Sequence, residues 1–424
     1  MMFYKETNFE ETPIGKIPKD WEVVKIDKLF DLYKGTTPST KVKKYWNGTI
    51  PFVTPTDITK ISDVNKVYLK ITEKCITEEG IKSKGLRLIP KNSLLFTSRA
   101  TIGYLAINEV EVAINQGVIS LIPKRTSVNV AFFYYLLQKL RGRFENLAGG
   151  STYREISMSA FGNVEVFLPR PEEQQKIAEI LSAIDEAIQK TNEIIAKTER
   201  LKRGLMQKLL TKGIGHKEFK DTEIGRIPKE WEVVKLNEVA EIRSNKVVSG
   251  FDTVAFIPME LVSESEIFTK YEIRPIGRVK SYTYCEAGDL LLAKITPCLE
   301  NGKQGIVPYD VPNGFALATT EVFPIHPKNI DKFFIFYTLK FEKFRNKIIA
   351  SMTGTTGRQR ASKKDVEKLK IPLPSLPEQQ KIAEILSTVD KKLELERKEK
   401  ARLERIKQGM MDLFLTGKIR VKVN

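Results

Sequence analysis

Two histidines, His216 and His326, and three cysteines, Cys75, Cys285 and Cys298, are all that 424 residues offer for soft-metal or thiol chemistry. The cysteines form no CxxC pair and the histidines are isolated, which argues against a zinc site and against histidine-based catalysis. The thiols read as reduced and structural. No GxxxxGK motif followed by Ser or Thr occurs, so the usual phosphate loop of an ATPase is absent. Gly213 and Gly215 make a GxG, but it follows a helical stretch where a nucleotide fingerprint would follow a strand; Gly354 and Gly357 fail likewise. No run approaches the ~20 apolar residues of a membrane span. The start, MMFYKETNFEE, has neither the basic opening nor the apolar core of a signal peptide. The expectation is a soluble cytoplasmic protein with no membrane partner, no metal and no cofactor of its own.

What the chain has in excess is positive charge. Seventy Lys and Arg against fifty-three Asp and Glu leave +17. Such a surplus concentrates polyanions near the surface and favours nucleic acid. Charge alone does not decide this, because a chain that is 29% charged also fits a heat-adapted protein.

An internal repeat sets the organisation. TPIGKIPKDWEVVKI at 12–26 recurs as TEIGRIPKEWEVVKL at 222–236, identical at 11 of 15 positions. EQQKIAEILS at 173–182 recurs unchanged at 378–387. The order is therefore domain, segment, domain, segment, and the boundaries read as 1–170, 171–214, 215–376 and 377–424.

Each EQQ segment predicts a long helix. Pro171 or Pro377 followed by Glu suits a first turn, where no amide is needed and negative charge meets the positive end of the dipole. No further proline follows until beyond Thr211 and Thr416. Alternating steps of four and three pick out Ile177, Leu181, Ile184, Ile188, Ile195, Leu205 and Leu209 in the first, and Ile382, Leu386, Val389, Leu393, Leu403, Met410 and Phe414 in the second. Those stripes are the seam of a coiled coil that neither helix buries alone. Pairing the two makes them antiparallel, which requires the two ends of the chain to meet. Lys202 and Lys407 fall on the seam at equivalent points; they either fix register or snorkel to solvent past a frayed seam, and snorkelling is the simpler reading.

The stretches between the helices read as mixed α and β. SLLFTS (93–98), GVISLIP (117–123), DLLLAKI (289–295) and EVFPIHP (321–327) predict strands, while FFYYLLQKL (132–140) and FFIFYTLKF (333–341) predict buried helices whose aromatics form core and not a base-stacking platform. The fold class expected is α+β: two domains of mixed structure separated by two long antiparallel helices in a coiled coil, with a pseudo-twofold internal repeat.

Gly150-Ser151-Thr152, then Ile156, then VEVFLPRPEEQQKIAEIL (164–181) resembles the signature of the specificity subunits of type I restriction-modification enzymes. The second copy, TTG (355–357) with LKIPLPSLPEQQKIAEIL (369–386), is similar but looser, and the two IPK-x-WEVVK segments look like the start of that family's target-recognition domains. The resemblance implies a non-catalytic subunit whose two target-recognition domains each read half of a bipartite asymmetric site on double-stranded DNA, with the helices as spacer. It also implies two docked methyltransferase subunits, which carry S-adenosylmethionine, and ATP-dependent restriction subunits in the full complex. Consistently, the chain lacks the NPPY-like loop of an adenine methyltransferase, and nothing resembles the clustered carboxylates and lysine of a restriction nuclease. Within the chain the helical segments are nearly alike and the domains have diverged, which suits a common protein partner and two different DNA targets.

Phosphate contacts need Lys, Arg and backbone amides, and base reading needs Arg, Asn or Gln. The first domain offers Lys41, Lys43 and Lys44 beside Tyr45 and Trp46, with Arg99 past a strand and Arg154 at the junction with the helix. The second offers Arg243, Lys246, Lys294 and Lys303. TGTTGRQRASKK adds Arg358, Gln359, Arg360, Lys363 and Lys364, the densest basic, glycine-rich run before a helix. Two other classes stay open: a coiled-coil adaptor that holds proteins without touching DNA, and an enzyme with an unrecognised site.

Overall fold

The structure, a computed structural model, describes residues 3–63, 65–149, 154–355 and 357–422. It divides into two units, residues 1–194 with 398–424, and residues 195–397. Two long helices, Pro171–Lys212 and Leu376–Phe414, supply a segment to each unit. Among the described residues no helix is long and apolar enough to cross a membrane.

In the first unit a five-stranded sheet runs Phe30–Lys34, Val118–Pro123, Leu94–Thr97, Leu105–Asn108, Tyr68–Leu69, antiparallel except for the last pair. A smaller sheet joins Ala113–Ile114, Trp46–Val53 and Lys74–Ile76. The second unit builds two four-stranded sheets. One orders Ala240–Ile242, Val322–Pro327, Leu290–Ala293 and Gln304–Ile306; the other orders Glu272–Pro275, Thr253–Ile257, Phe315–Ala318 and Thr283–Glu286. The four β-rich runs named above thus form strands. The aromatic runs become the helices Val130–Lys139 and Lys332–Lys340, with Phe132, Phe133, Tyr135, Phe334, Phe336 and Tyr337 buried. Each is capped by a side chain, Asn129 or Asp331, that accepts from the first free amides. Their rings belong to the core, as the periodicity predicts.

The repeated motifs explain how each domain is fastened to a helix. Trp21 is buried and its indole Nε1 donates to Glu173 at 3.1 Å; Trp231 donates to Glu378 at 2.9 Å. Next along each helix, Gln174 donates to the Pro169 carbonyl at 2.8 Å and accepts from the Asn129 amide at 3.0 Å. Gln379 repeats this with Pro374 at 2.8 Å and Asp331 at 2.8 Å. The Glu and first Gln of each EQQ thus make a set of buried hydrogen bonds that leaves few polar atoms of the helix start orphaned, while Gln175 and Gln380 are exposed. Glycine ends both helices where a side chain has no room: at Gly213, with φ +63°, a Cβ would sit 2.7 Å from Trp231, and at Gly417, with φ +67°, 2.3 Å from Pro18.

Within each unit the helix segments run antiparallel, the start of one beside the end of the other. Ile177, Leu181 and Ile184 share the first unit's core with Met410, Met411 and Phe414, and Ile382 and Leu386 share the second's with Leu205, Met206 and Leu209. Every seam residue named from the sequence is buried or half-buried. The snorkelling reading of the seam lysines needs correction. Lys407 pairs with Asp185 at 2.7 Å and Lys202 with Asp390 at 2.5 Å, and each aspartate is buried and also accepts from a tyrosine, Tyr135 at 2.7 Å or Tyr337 at 2.8 Å. Solvent is a poor destination for these ammonium groups because a buried carboxylate without its cation costs several kcal/mol. Burial, and then the neighbouring aspartate charge, pushes both phenols well above their usual range, which keeps them donors.

The chain ends meet as the antiparallel pairing requires. Phe3–Lys5 pairs with Ile419–Val421, and Arg420 holds Glu173, Glu6 and Asp20 together.

Candidate nucleic-acid interface

In the first unit the segment before the long helix returns along the end of the strand Leu94–Thr97. The Ala100 amide donates to the Arg154 carbonyl at 3.2 Å, the Ile156 amide to Ser98 at 3.0 Å, and Arg99 lies opposite Glu155. Two arginines distant in sequence, Arg99 and Arg154, are thereby brought onto adjoining segments. Arg154 is exposed, with one guanidinium nitrogen 2.5 Å from the Glu145 carbonyl.

Arg99 borders a cleft of about 700 Å³ whose other walls come from Thr54–Asp57, Thr101 and Asn115–Gly117. Asp57 shapes its rim by accepting from the Thr54 amide at 2.9 Å, the Thr54 hydroxyl at 2.6 Å and the Glu73 amide at 2.8 Å. Ala100 sits in this wall with φ +63°, a conformation costing a non-glycine residue of order 1 kcal/mol. Gln116 contacts the Thr37 hydroxyl and so ties the loop that precedes Lys41 to the cleft. Asn115 and Gln116, side chains of the kind that read base edges, were missed from the sequence. Their only signal there is a polar pair between two apolar strands.

Lys41 and Lys43 are exposed and have no ion-pair partner among the described residues, whereas Lys44 pairs with Glu79 at 3.0 Å. Trp46 packs edge-on against Phe52 at 5.2 Å and donates to the Ser39 carbonyl at 3.1 Å, so it caps a small core and braces the basic loop.

The second unit repeats the arrangement with different side chains. Arg360 lies opposite Ile295 and Thr353, the Thr296 amide donates to Gln359 at 3.1 Å, and the Ala361 amide donates to Lys294 at 2.8 Å. Lys294, Gln359 and Arg360 thus meet where the first unit brings Arg99 and Arg154 together. The Lys294 ammonium stands 5.3 Å from the Phe323 ring centre. Arg360 makes a two-pronged pair with Glu321 at 2.9 and 3.1 Å, which holds that carboxyl below its usual range. Arg358 and Lys364 are exposed without a charged partner among the described residues, while Lys363 donates to the Ile242 carbonyl at 3.0 Å.

Two sequence candidates, Arg243 and Lys303, serve the fold first, and exposed Lys246 shares a partner with Arg243. Arg243 lies 2.5 Å from fully buried Asp289 and 2.7 Å from Glu286, Lys246 shares Glu286 at 3.0 Å, and Lys303 donates to the Met259 carbonyl at 2.9 Å. The charge of Arg243 is turned toward these two carboxylates. Residues 150–152 of the first signature, and Thr356 of the second, lie outside the described residues.

Residues 18–200 and 228–405 match the family model of the type I restriction modification DNA specificity domain. The chain belongs to the type I specificity-subunit family. A specificity subunit of Methanocaldococcus jannaschii, that of the type I enzyme MjaIX, is 31% identical over 99% of this chain and 98% of its own length. The solved specificity subunit from M. genitalium has a similar fold, with TM-score 0.57, 17% identity, and coverage of 95% of this chain and 97% of its own. A chain described in work on assembly and conformational transition of the type I system gives TM-score 0.54 at 16% identity, over 95% of this chain and 99% of that one. The two family matches fall on the two internal repeats.

Proposed function

We propose that this specificity subunit recognises a bipartite asymmetric site, with residues 1–170 reading one half and residues 215–376 the other. Residues 171–214 and 377–424 then serve as spacer and as the docking surface for two methyltransferase subunits, which in turn recruit ATP-dependent restriction subunits. The subunit itself is non-catalytic, binds no cofactor, and works on DNA in the cytoplasm.

One observation carries the reading. The contacts that fasten domain to helix repeat almost residue for residue, Trp21–Glu173 with Trp231–Glu378 and Tyr135–Asp185–Lys407 with Tyr337–Asp390–Lys202. The side chains at the equivalent strand ends do not repeat: Arg99 and Arg154 answer to Lys294, Gln359 and Arg360. A constant framework suits identical protein partners, and a varied face suits unlike half-sites. The DNA-contacting set proposed is Lys41, Lys43, Lys44, Arg99 and Arg154 in the first domain, and Lys246, Lys294, Arg358, Gln359, Arg360, Lys363 and Lys364 in the second.

The test is to map methylated sites made by the subunit with its methyltransferase, before and after replacing residues 1–170 by the same domain of a relative. One half-site should change and the other should persist. An adaptor that never meets DNA would leave the methylation pattern unaltered.

A further inference from the structure

A cavity of about 340 Å³ in the second unit is walled by both long-helix segments and by the end of the helix Lys332–Lys340. Its cations are Lys202 and Arg203 from the first long helix, Arg397 from the second, and Lys340 and Arg345; its carboxylates are Glu199, Glu264, Glu342 and Asp390. Four of these charges cancel in pairs, Lys202 with Asp390 at 2.5 Å and Arg397 with Glu199 at 2.8 Å. Glu264 and Glu342 are exposed, where solvent and salt screen them. Arg203 is exposed and screened likewise, which leaves Lys340 and Arg345 as the sheltered cations. Among the described residues Lys340 donates to two backbone carbonyls, those of Glu264 and Gly302, each at 2.6 Å. Arg345 donates from one terminal nitrogen to the Lys340 carbonyl at 3.3 Å, while its Nε is buried with no acceptor among the described residues.

The first repeat differs at the equivalent places. With Asn129 and Tyr135 set on Asp331 and Tyr337, Gln138 stands for Lys340 and Arg143 for Arg345. Asp412 stands 34 positions beyond Glu378, as Gln207, which lines the cavity, stands 34 beyond Glu173. The second repeat therefore carries a lysine where the first has Gln138, and a neutral Gln207 where the first has Asp412.

We propose that this cavity binds a small oxyanion, inorganic phosphate or a compact phosphate-bearing metabolite, which supplies Lys340 and Arg345 with the negative charge that the second repeat lacks at Gln207, where the first repeat has Asp412. The volume falls at the lower end of small-molecule sites and admits a phosphate with a small organic body. Burial, reinforced by Lys202 and Arg345 against the opposing pull of Asp390 and Glu264, lowers the Lys340 ammonium to about 7. An anion beside it favours the charged form, so binding takes up a proton and weakens as pH rises above about 7. Arg203, Arg397, Glu199 and Glu342 complete the charged groups facing it.

The test is calorimetric titration of the full chain with sulfate, which stays divalent across the range, in two buffers of different ionisation enthalpy, with chloride at matched ionic strength as reference. Saturable one-to-one binding is expected, accompanied by proton uptake, with affinity falling at most tenfold per pH unit above about 7. Lys340→Gln should weaken sulfate at least tenfold. Gln207→Asp provides the carboxylate from within and should abolish sulfate binding while the protein keeps or raises its Tm. Sulfate binding no better than chloride, or unchanged binding in either variant, overturns the site.

Discussion

Replacing Arg420 with methionine should destabilise the first unit strongly, although the residue lies four positions before Asn424. The guanidinium is 5% exposed and donates to Glu173 at 2.6 and 2.7 Å, to Asp20 at 2.8 and 2.9 Å, and to Glu6 at 2.7 Å. Methionine fills much of the space and donates nothing. Glu173, 2% exposed, would keep only the Trp21 indole as partner. Removing one member of a buried ion pair costs about 3–5 kcal/mol, whereas the part-exposed Asp20 contributes no more than about 1. At roughly 2–4 °C per kcal/mol for a unit of this size, the Tm should fall by about 6–20 °C. Pairing the change with Glu173→Gln removes the stranded charge, so the double variant should melt above Arg420→Met alone. Circular dichroism and calorimetric melts at pH 7 read both. The acid limb gives a third measure. Hydrogen bonding from Arg420 holds Asp20 below its usual range, and the Asn8 amide first, with Arg420 after it, does the same for Glu6. A carboxyl lowered in the folded state stabilises above its unfolded pKa and loses that contribution as pH falls through the folded value, so the variant should have the flatter limb below about pH 4. A Tm within about 2 °C of wild type, or a double variant no better than the single, would refute the reasoning.

Replacing Arg358 and Lys364 together by alanine should weaken binding of the assembled complex to any DNA and lower the slope of log K against log salt by up to about 1.8, measured by fluorescence anisotropy. Lys202→Met should cost about 3–5 kcal/mol in urea melts by stranding buried Asp390, and Lys202→Met with Asp390→Asn should recover part of it. A circular permutant that links the strand Ile419–Val421 to the strand Phe3–Lys5 and opens the chain between 212 and 220 should fold and support methylation with its partner, because the two strands already lie side by side; an insoluble permutant would count against that.

Seam residues and aromatic cores were legible because each leaves a periodic mark on the chain. What meets what was not. The identity of EQQ at both helix starts was plain, but that Glu173 accepts from a tryptophan 152 positions away was not written in either motif. Lys202 read as a solvated cation because its aspartate stands 188 positions further on. Arg243 and Lys303 looked like surface charge for the same reason, their partners Asp289, Glu286 and the Met259 carbonyl being fixed only by strand pairing. Asn115 and Gln116 carry no periodic signature, and their position beside Arg99 depends on two sheets folding together.

The pairing of the first strand with the last has a consequence for how the chain is made. At about 5–20 residues per second, the ribosome needs roughly 11–46 seconds to go from residue 195 to the end. Through that interval the amino-terminal unit lacks Met411, Phe414, Leu415 and Arg420, and the apolar stripe of Ile177 and Leu181 has no opposite face. The unit synthesised first is therefore completed last, after residues 195–397 have all left the ribosome. Premature termination anywhere before residue 420 leaves an open hydrophobic edge on an otherwise complete recognition domain, a natural handle for chaperones and proteases.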